Sequence, residues 1–270
     1  MRRRRTRTAS AARLRRSGRA RYQADGPGVA GRPAQAQAGT ISQGEVMRTE
    51  SLGSSYLVLP GGPGPHPGVV VIHEASGLND NIREICRRFA GAGYAALGVD
   101  LFEGRNRAVC MARMFAGAVA GNLDHYGVPV LKASLGQLAA RPDVDGTRIG
   151  AVGFCLGGSI VLTWACTDRR LAAVGPFYGA VPRPRAAVRR LCPVVGSWPG
   201  RDFTTKAAGV LESELTAAGI PHDLKEYPGA RHSFFNDRWR TYDPAAAADS
   251  WQRVLAFFAE HVRDREAGQQ

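Results

Sequence analysis

The sequence predicts a single α/β domain with a mostly parallel, twisted sheet covered by helices on both faces, and three observations carry that prediction. Short, wholly apolar runs alternate with stretches of helical periodicity from about residue 55 onward. That is the pattern of strands buried on both faces by crossover helices. Clusters of Gly and Pro separate the runs, with neither internal repeats nor an interdomain linker between them. Apolar residues make up 44% of the 270-residue chain, enough for one sizeable core, and no apolar run approaches a membrane span.

Residues 1–46 stand apart as a basic leader rich in Arg, Ala, Gly, Ser and Gln. They have too few large apolar side chains to fold, so they are expected to be disordered. Eleven arginines against Asp25 and Glu45 place +9 of the chain's net +13 in the first 47 residues. The remainder, nearly neutral, excludes a nucleic-acid-binding domain as the first reading. Arg2 to Arg5 suggest a twin-arginine or secretory signal, but no apolar segment follows. The composition fits an organellar transit peptide or a basic arm better, and a start at Met47 would remove the leader entirely. The folded domain is therefore set at 47–270.

Within it, Ser55–Leu59 reads as an early strand ended by the Pro60–Pro65 turn cluster, and Gly68–His73 as a buried strand. Ile82, Ile85, Cys86 and Phe89 recur at helical spacing and predict a helix over about 81–92. A strand over 94–99 and helices over 108–120 and 130–140 follow. Ile149–Val152 is a short strand, and Ser159–Trp164 a helix. Leu171–Phe177 and Pro193–Ser197 are strands, Thr204–Ala218 a helix and His222–Tyr227 the last strand. Trp251, Val254, Leu255, Phe258 and Val262 form the stripe of a closing helix.

Between the strand at 149–152 and its helix lies Gly153-Phe-Cys-Leu-Gly157. A nucleophile flanked by Gly two positions away on each side, on a strand-to-helix turn, is the pattern of a nucleophile elbow, here with Cys155. The turn strains the central residue, and Gly clears its neighbours. The helix N-terminus favours the thiolate, the nucleophilic form of Cys. The other four cysteines (Cys86, Cys110, Cys166, Cys192) are read as structural. An odd count without C-x-x-C or a secretory signal points to reduced thiols in a cytoplasmic setting.

A nucleophilic Cys needs a base, and the base an orienting acid, placed in this architecture on loops after later strands in the order nucleophile, acid, His. Asp202 follows the strand at 193–197, and His232 follows the strand at 222–227. Each alone has a plainer reading, a helix N-cap for Asp202 and a structural ring for His232. Together they meet the required order. His66, His125, His222 and His261 are read as structural. The loop Glu74–Asn79 after the strand at 68–73 supplies one oxyanion amide and the residue after the nucleophile the other. Those are the backbone N–H groups of Ala75 and Leu156, with Glu74 a carboxylate close to the elbow.

The apolar strand into Glu74, Gly93–Leu101, the elbow Gly153–Gly158, Gly200-Arg-Asp202 and Ala230–Phe234 together resemble the dienelactone hydrolase (carboxymethylenebutenolidase-like) family of α/β-hydrolases, across essentially the whole domain. The resemblance implies the α/β-hydrolase fold, Cys155, Asp202 and His232 as catalytic triad, and Glu74 as a carboxylate that helps generate the thiolate once substrate binds. It implies attack of Cys155 on an ester or lactone carbonyl, a thioester acyl-enzyme, and neither metal nor organic cofactor. The chain departs from the family's best-known members at His73, where they carry Gln. It departs again at Asn236, where they carry an Arg that grips the substrate carboxylate. Arg105 and Arg238 lie near but do not match those positions.

Tyr178–Leu191 is too short for a large lid domain, so an open site is expected, lined by Phe154, Phe177, Tyr178, Trp198, Phe203 and Phe234. The expected partner is a small ester or lactone, with no membrane and no nucleic acid for the domain, and the chain a monomer or homodimer. Two other readings stand beside hydrolysis: a non-hydrolytic ligand-binding member of the fold, and a protein acting through its basic leader.

Overall fold

The computed structural model describes residues 46–264. The expected disordered leader therefore lies, apart from Val46, outside the described residues. Eight strands form one sheet in the order β1-β2-β4-β3-β5-β6-β7-β8. They are β1 (Arg48–Leu52), β2 (Ser55–Leu59), β3 (His66–Ile72), β4 (Ala95–Val99), β5 (Val144–Phe154), β6 (Leu171–Phe177), β7 (Val194–Arg201) and β8 (His222–Arg231). β1 and β2 pair antiparallel at one edge, β2 joins β4 antiparallel, and every later pairing is parallel.

Side-chain alternation along the central strands builds two cores. Val69 and Val71 of β3 face α1 (Asp80–Gly91) and α6 (Pro244–Phe258), where Phe89, Trp251 and Phe258 cluster. Val70 and Ile72 face the opposite layer of α3 (Val128–Ala139), α4 (Leu156–Ala165) and α5 (Thr205–Ala218). The remaining helix, α2 (Arg107–Val119), buries only Cys110 and Met114. Among the described residues no helix is long and apolar enough to cross a membrane.

Three features differ from the sequence expectation. β1 was not foreseen, because its residues RTESL are polar and mostly exposed, as suits an edge strand that must resist further pairing. β7 and β8 run four residues past the predicted strand ends. The pairs Pro199/Gly200 and Pro228/Gly229 read as turns, yet a register shift after Pro199 carries the ladder on to Arg201 opposite Arg231. The elbow strand likewise begins earlier, at Val144.

Register is what assembles the upper end of the sheet. Arg201 and Arg231 are partners, so the next residues, Asp202 and His232, emerge side by side. Ile72 pairs with Gly153, which brings Glu74 alongside Cys155 two residues later. Phe154 pairs with Phe177, which sets Tyr178 against Cys155 from the other side.

Candidate active site

Cys155 caps the N-terminus of α4 with φ 53 and ψ −109. That is positive-φ backbone which a side chain other than Gly rarely adopts, and it persists because the surrounding chain holds it. The flanking glycines are required by space. A Cβ on Gly153 would strike the carbonyl of Gly157, and one on Gly157 would come within 2.5 Å of the Ile72 carbonyl oxygen. Backbone cannot yield as a side-chain tip can.

His232 bridges Cys155 and Asp202. Its Nε2 lies 2.9 Å from Cys155 Sγ and its Nδ1 2.7 Å from Asp202 Oδ2. With Nδ1–H donating to the carboxylate, Nε2 is the acceptor that faces the thiol. Asp202 also accepts from Thr204 Oγ1 at 2.5 Å and from the Phe203 N–H at 2.7 Å, with its side chain only 3% exposed. The carboxylate thus orients His232 rather than capping α5, whose N-cap residue is Thr204. Phe203, 83% exposed, stacks on the outer face of His232 at 5.1 Å.

The Cys155 thiol is pushed up to about 11, first by burial and then by the charge of Glu74, against which the Leu156 and Ala75 backbone N–H groups pull it down. At neutral pH the resting group is the thiol, and the helix N-terminus does not overcome desolvation.

Glu74 is 5% exposed and bonded by neutral donors. Tyr178 Oη donates to Oε1 at 3.1 Å and Asn236 Nδ2 to Oε2 at 2.9 Å. Burial, and then the Glu74 charge, holds the Tyr178 hydroxyl well above its ordinary range, so it remains a donor. Asn236, the position that departs from the family's arginine, is spent on Glu74. His73, the other departure, is fully buried and kept neutral chiefly by desolvation. Its Nε2 accepts the Leu101 N–H at 3.1 Å, so Nδ1–H donates to the Glu74 carbonyl at 2.6 Å. That tautomer pins the loop carrying Glu74 and Ala75 to the end of β4. Asp100, 3.8 Å away, does not offset the burial that keeps the ring uncharged.

A cavity of about 330 Å³ opens beside Cys155, Leu156, Ala75 and His232. Tyr178 and Phe203 line it as expected, but Phe154, Phe177, Trp198 and Phe234 do not. Phe154, one residue before Cys155, alternates to the sheet's other face, where it stacks on Phe177 at 4.6 Å and meets Phe235 at 5.2 Å. Phe234 is fully buried against Tyr227 and Tyr178. Trp198 is fully buried with its Nε1–H on the Gly179 carbonyl. Strand and turn residues beside Cys155 are core unless their register turns them upward.

The wall that the aromatics were expected to supply comes from α2, with Met111, Met114, Phe115, Ala118 and Val119. Segment 178–191 holds only a short 3-10 helix, Arg185–Arg190, so the expected absence of a large lid there stands, while cover comes from the connection between β4 and β5. His125, read as structural, also reaches the cavity. Gly117 admits it to α2, since a Cβ there would collide with the His125 side chain. The stripe 111-114-115-118 was visible in the sequence as helical spacing, but nothing local showed that it faces a void.

The dienelactone hydrolase family profile matches residues 54–262. A protein of Saccharolobus solfataricus, provisionally named a carboxymethylenebutenolidase, is 31% identical over 242 residues, covering 75% of this chain and 92% of its own. A structure from Klebsiella pneumoniae subsp. pneumoniae, provisionally described as a dienelactone hydrolase, superposes with TM-score 0.69 at 28% identity, over 80% of this chain and 98% of that one. A dienelactone hydrolase-like promiscuous phosphotriesterase from metagenomic libraries gives TM-score 0.66 at 26% identity, over 80% and 97%. The chain belongs to the dienelactone hydrolase family of hydrolases.

Proposed function

We propose that this hydrolase cleaves small carboxylic esters or lactones through Cys155, with His232 as acid–base and Asp202 as its orienting carboxylate. The observation that carries the reading is the continuous bridge Cys155 Sγ–His232–Asp202, with both distances under 3 Å.

In the first half-reaction His232 Nε2 takes the thiol proton as sulfur attacks the carbonyl carbon. The oxygen becomes an oxyanion that we assign to the backbone N–H groups of Ala75 and Leu156, two residues that line the cavity beside Cys155. Collapse breaks the C–O bond, and His232 returns its proton to the departing alkoxide, leaving a thioester. Water then attacks the thioester while His232 accepts a proton. The second collapse releases the acid and the sulfur regains that proton. Burial, and then the charge of Glu74, raise the Cys155 thiol, and with Glu74 held by Tyr178 and Asn236 we assign it as the carboxylate that modulates the nucleophile.

The test is turnover of p-nitrophenyl acetate, a simple γ-lactone and a dienelactone by wild type, Cys155→Ser and Cys155→Ala. Wild-type turnover that falls by roughly 10⁴-fold or more in Cys155→Ala is expected for a lost nucleophile. Equal activity, or equal inertness, in wild type and Cys155→Ala refutes the mechanism, and inertness moves ligand binding to first place.

A further inference from the structure

We infer that the substrate acyl group is uncharged and apolar, a short alkyl chain rather than one bearing a carboxylate; this rests on the hydrolase reading above. The α2 face meets Leu156 and Ile160 across the cavity, so the space beside the sulfur is bounded by thioether, aromatic and aliphatic side chains. The Ser and Thr hydroxyls on the wall have spent their groups on the protein, while Asn122 and His125 are engaged through Asn122 Oδ1, which accepts the Asp124 N–H, and His125 Nδ1, which bonds to the Tyr126 carbonyl. Ser159 Oγ accepts the Ala180 N–H at 2.8 Å, Thr163 Oγ1 donates to the Ser159 carbonyl at 3.1 Å, and Thr204 Oγ1 donates to Asp202.

Among the described residues lining the cavity, Arg183 alone carries a fixed charge, and it is exposed at the rim. A single exposed guanidinium is screened by water and salt and contributes little selectivity. None of the three other positions from which a carboxylate could be gripped lines the cavity. Asn236 holds Glu74. Arg105 pairs with Glu103 and Tyr126, and Arg238 lies beside Asp237. A substrate carboxylate in this cavity would lose its hydration without a buried partner, which is costly. An alkyl chain would gain from every methylene removed from water, and Met111 and Met114 can adapt to its shape.

The experiment compares kcat/KM for p-nitrophenyl acetate, p-nitrophenyl pentanoate and mono-p-nitrophenyl glutarate, the last matching pentanoate in length but ending in a carboxylate. A gain of about fourfold per buried methylene is expected from acetate to pentanoate, with glutarate well below pentanoate. In Phe115→Ala the pentanoate-to-acetate ratio should fall, and in Val119→Arg the glutarate-to-pentanoate ratio should rise. Both residues are exposed enough (57% and 72%) for the variants to fold. Cys155-dependent turnover with acetate equal to pentanoate, or with glutarate preferred, overturns the inference while leaving the hydrolase reading intact.

A second readout needs no turnover: protection of Cys155 from iodoacetamide by 2-heptanone against 5-oxohexanoate. Stronger protection by the ketone supports the apolar site even if every ester proves inert and the hydrolytic reading fails. Stronger protection by the keto acid overturns it.

Discussion

Two helices carry apolar stripes of the same spacing and put them to different uses. In α1, Ile82, Ile85, Cys86 and Phe89 are all essentially buried against the sheet and α6. In α2, Met111, Met114, Phe115, Ala118 and Val119 follow the same spacing, but only Met114 is buried, and the stripe bounds the cavity beside Cys155. A stripe in a sequence reports an apolar face. Whether that face meets protein or a void is set by the sheet beneath it. Substitutions in α1 should therefore act on folding, and substitutions in α2 on substrate.

The largest effect that sharpens this contrast is Phe89→Ala. The ring is fully buried at 4.6 Å from Trp251, so guanidinium unfolding should show a loss of about 3–5 kcal/mol. A loss comparable to that of an exposed residue would break the comparison.

The two thiols at the centre of these regions give a second contrast. Cys86, on the α1 stripe, is pushed up to about 12 by complete burial, and Cys155, facing the cavity, to about 11. Iodoacetamide should therefore modify Cys155 before Cys86. The rate should climb about tenfold per pH unit between pH 8 and 10, where thiolate remains the minor form. The same shifts fix a sign for stability. Unfolded thiols titrate near 9.0, while Cys86, Cys155 and Cys166 hold their protons to higher pH when folded. Their contribution is complete below pH 9 and declines as pH rises through 9 to 12, so the unfolding midpoint should fall over that range. A plateau in alkylation rate near pH 7 would contradict the neutral resting thiol.

The smallest expected effect is on stability in Phe115→Ala. More than half exposed, this side chain should matter to unfolding by about 0.5 kcal/mol or less, the same substitution being read in substrate preference. A destabilisation as large as that of Phe89→Ala would make α2 an ordinary core helix.

Much of the site was legible because its constraints are local. Gly153 and Gly157 flank Cys155 for steric reasons that any sequence shows, and Asp202 and His232 follow strands in the required order. What placed those last two side by side was not legible. The ladder between β7 and β8 passes through Pro199-Gly200 and Pro228-Gly229, which read as turns. The pocket failed for a related reason. Phe154 adjoins Cys155 and Phe234 follows His232 by two residues, but strand alternation turns the first into the core and the turn after β8 buries the second. The donors to Glu74, Tyr178 and Asn236, come from segments 104 and 162 residues away, and no spacing rule connects them.

The central claim is that Cys155 carries the acyl group during turnover. The direct measurement is an acid quench of wild type with p-nitrophenyl pentanoate, followed by peptic digestion and mass spectrometry. The account predicts a pentanoyl thioester on the peptide containing Cys155 and none on Cys86, Cys110, Cys166 or Cys192. Sustained turnover with no acyl group on Cys155, matched by Cys155→Ala at the wild-type rate, would contradict it.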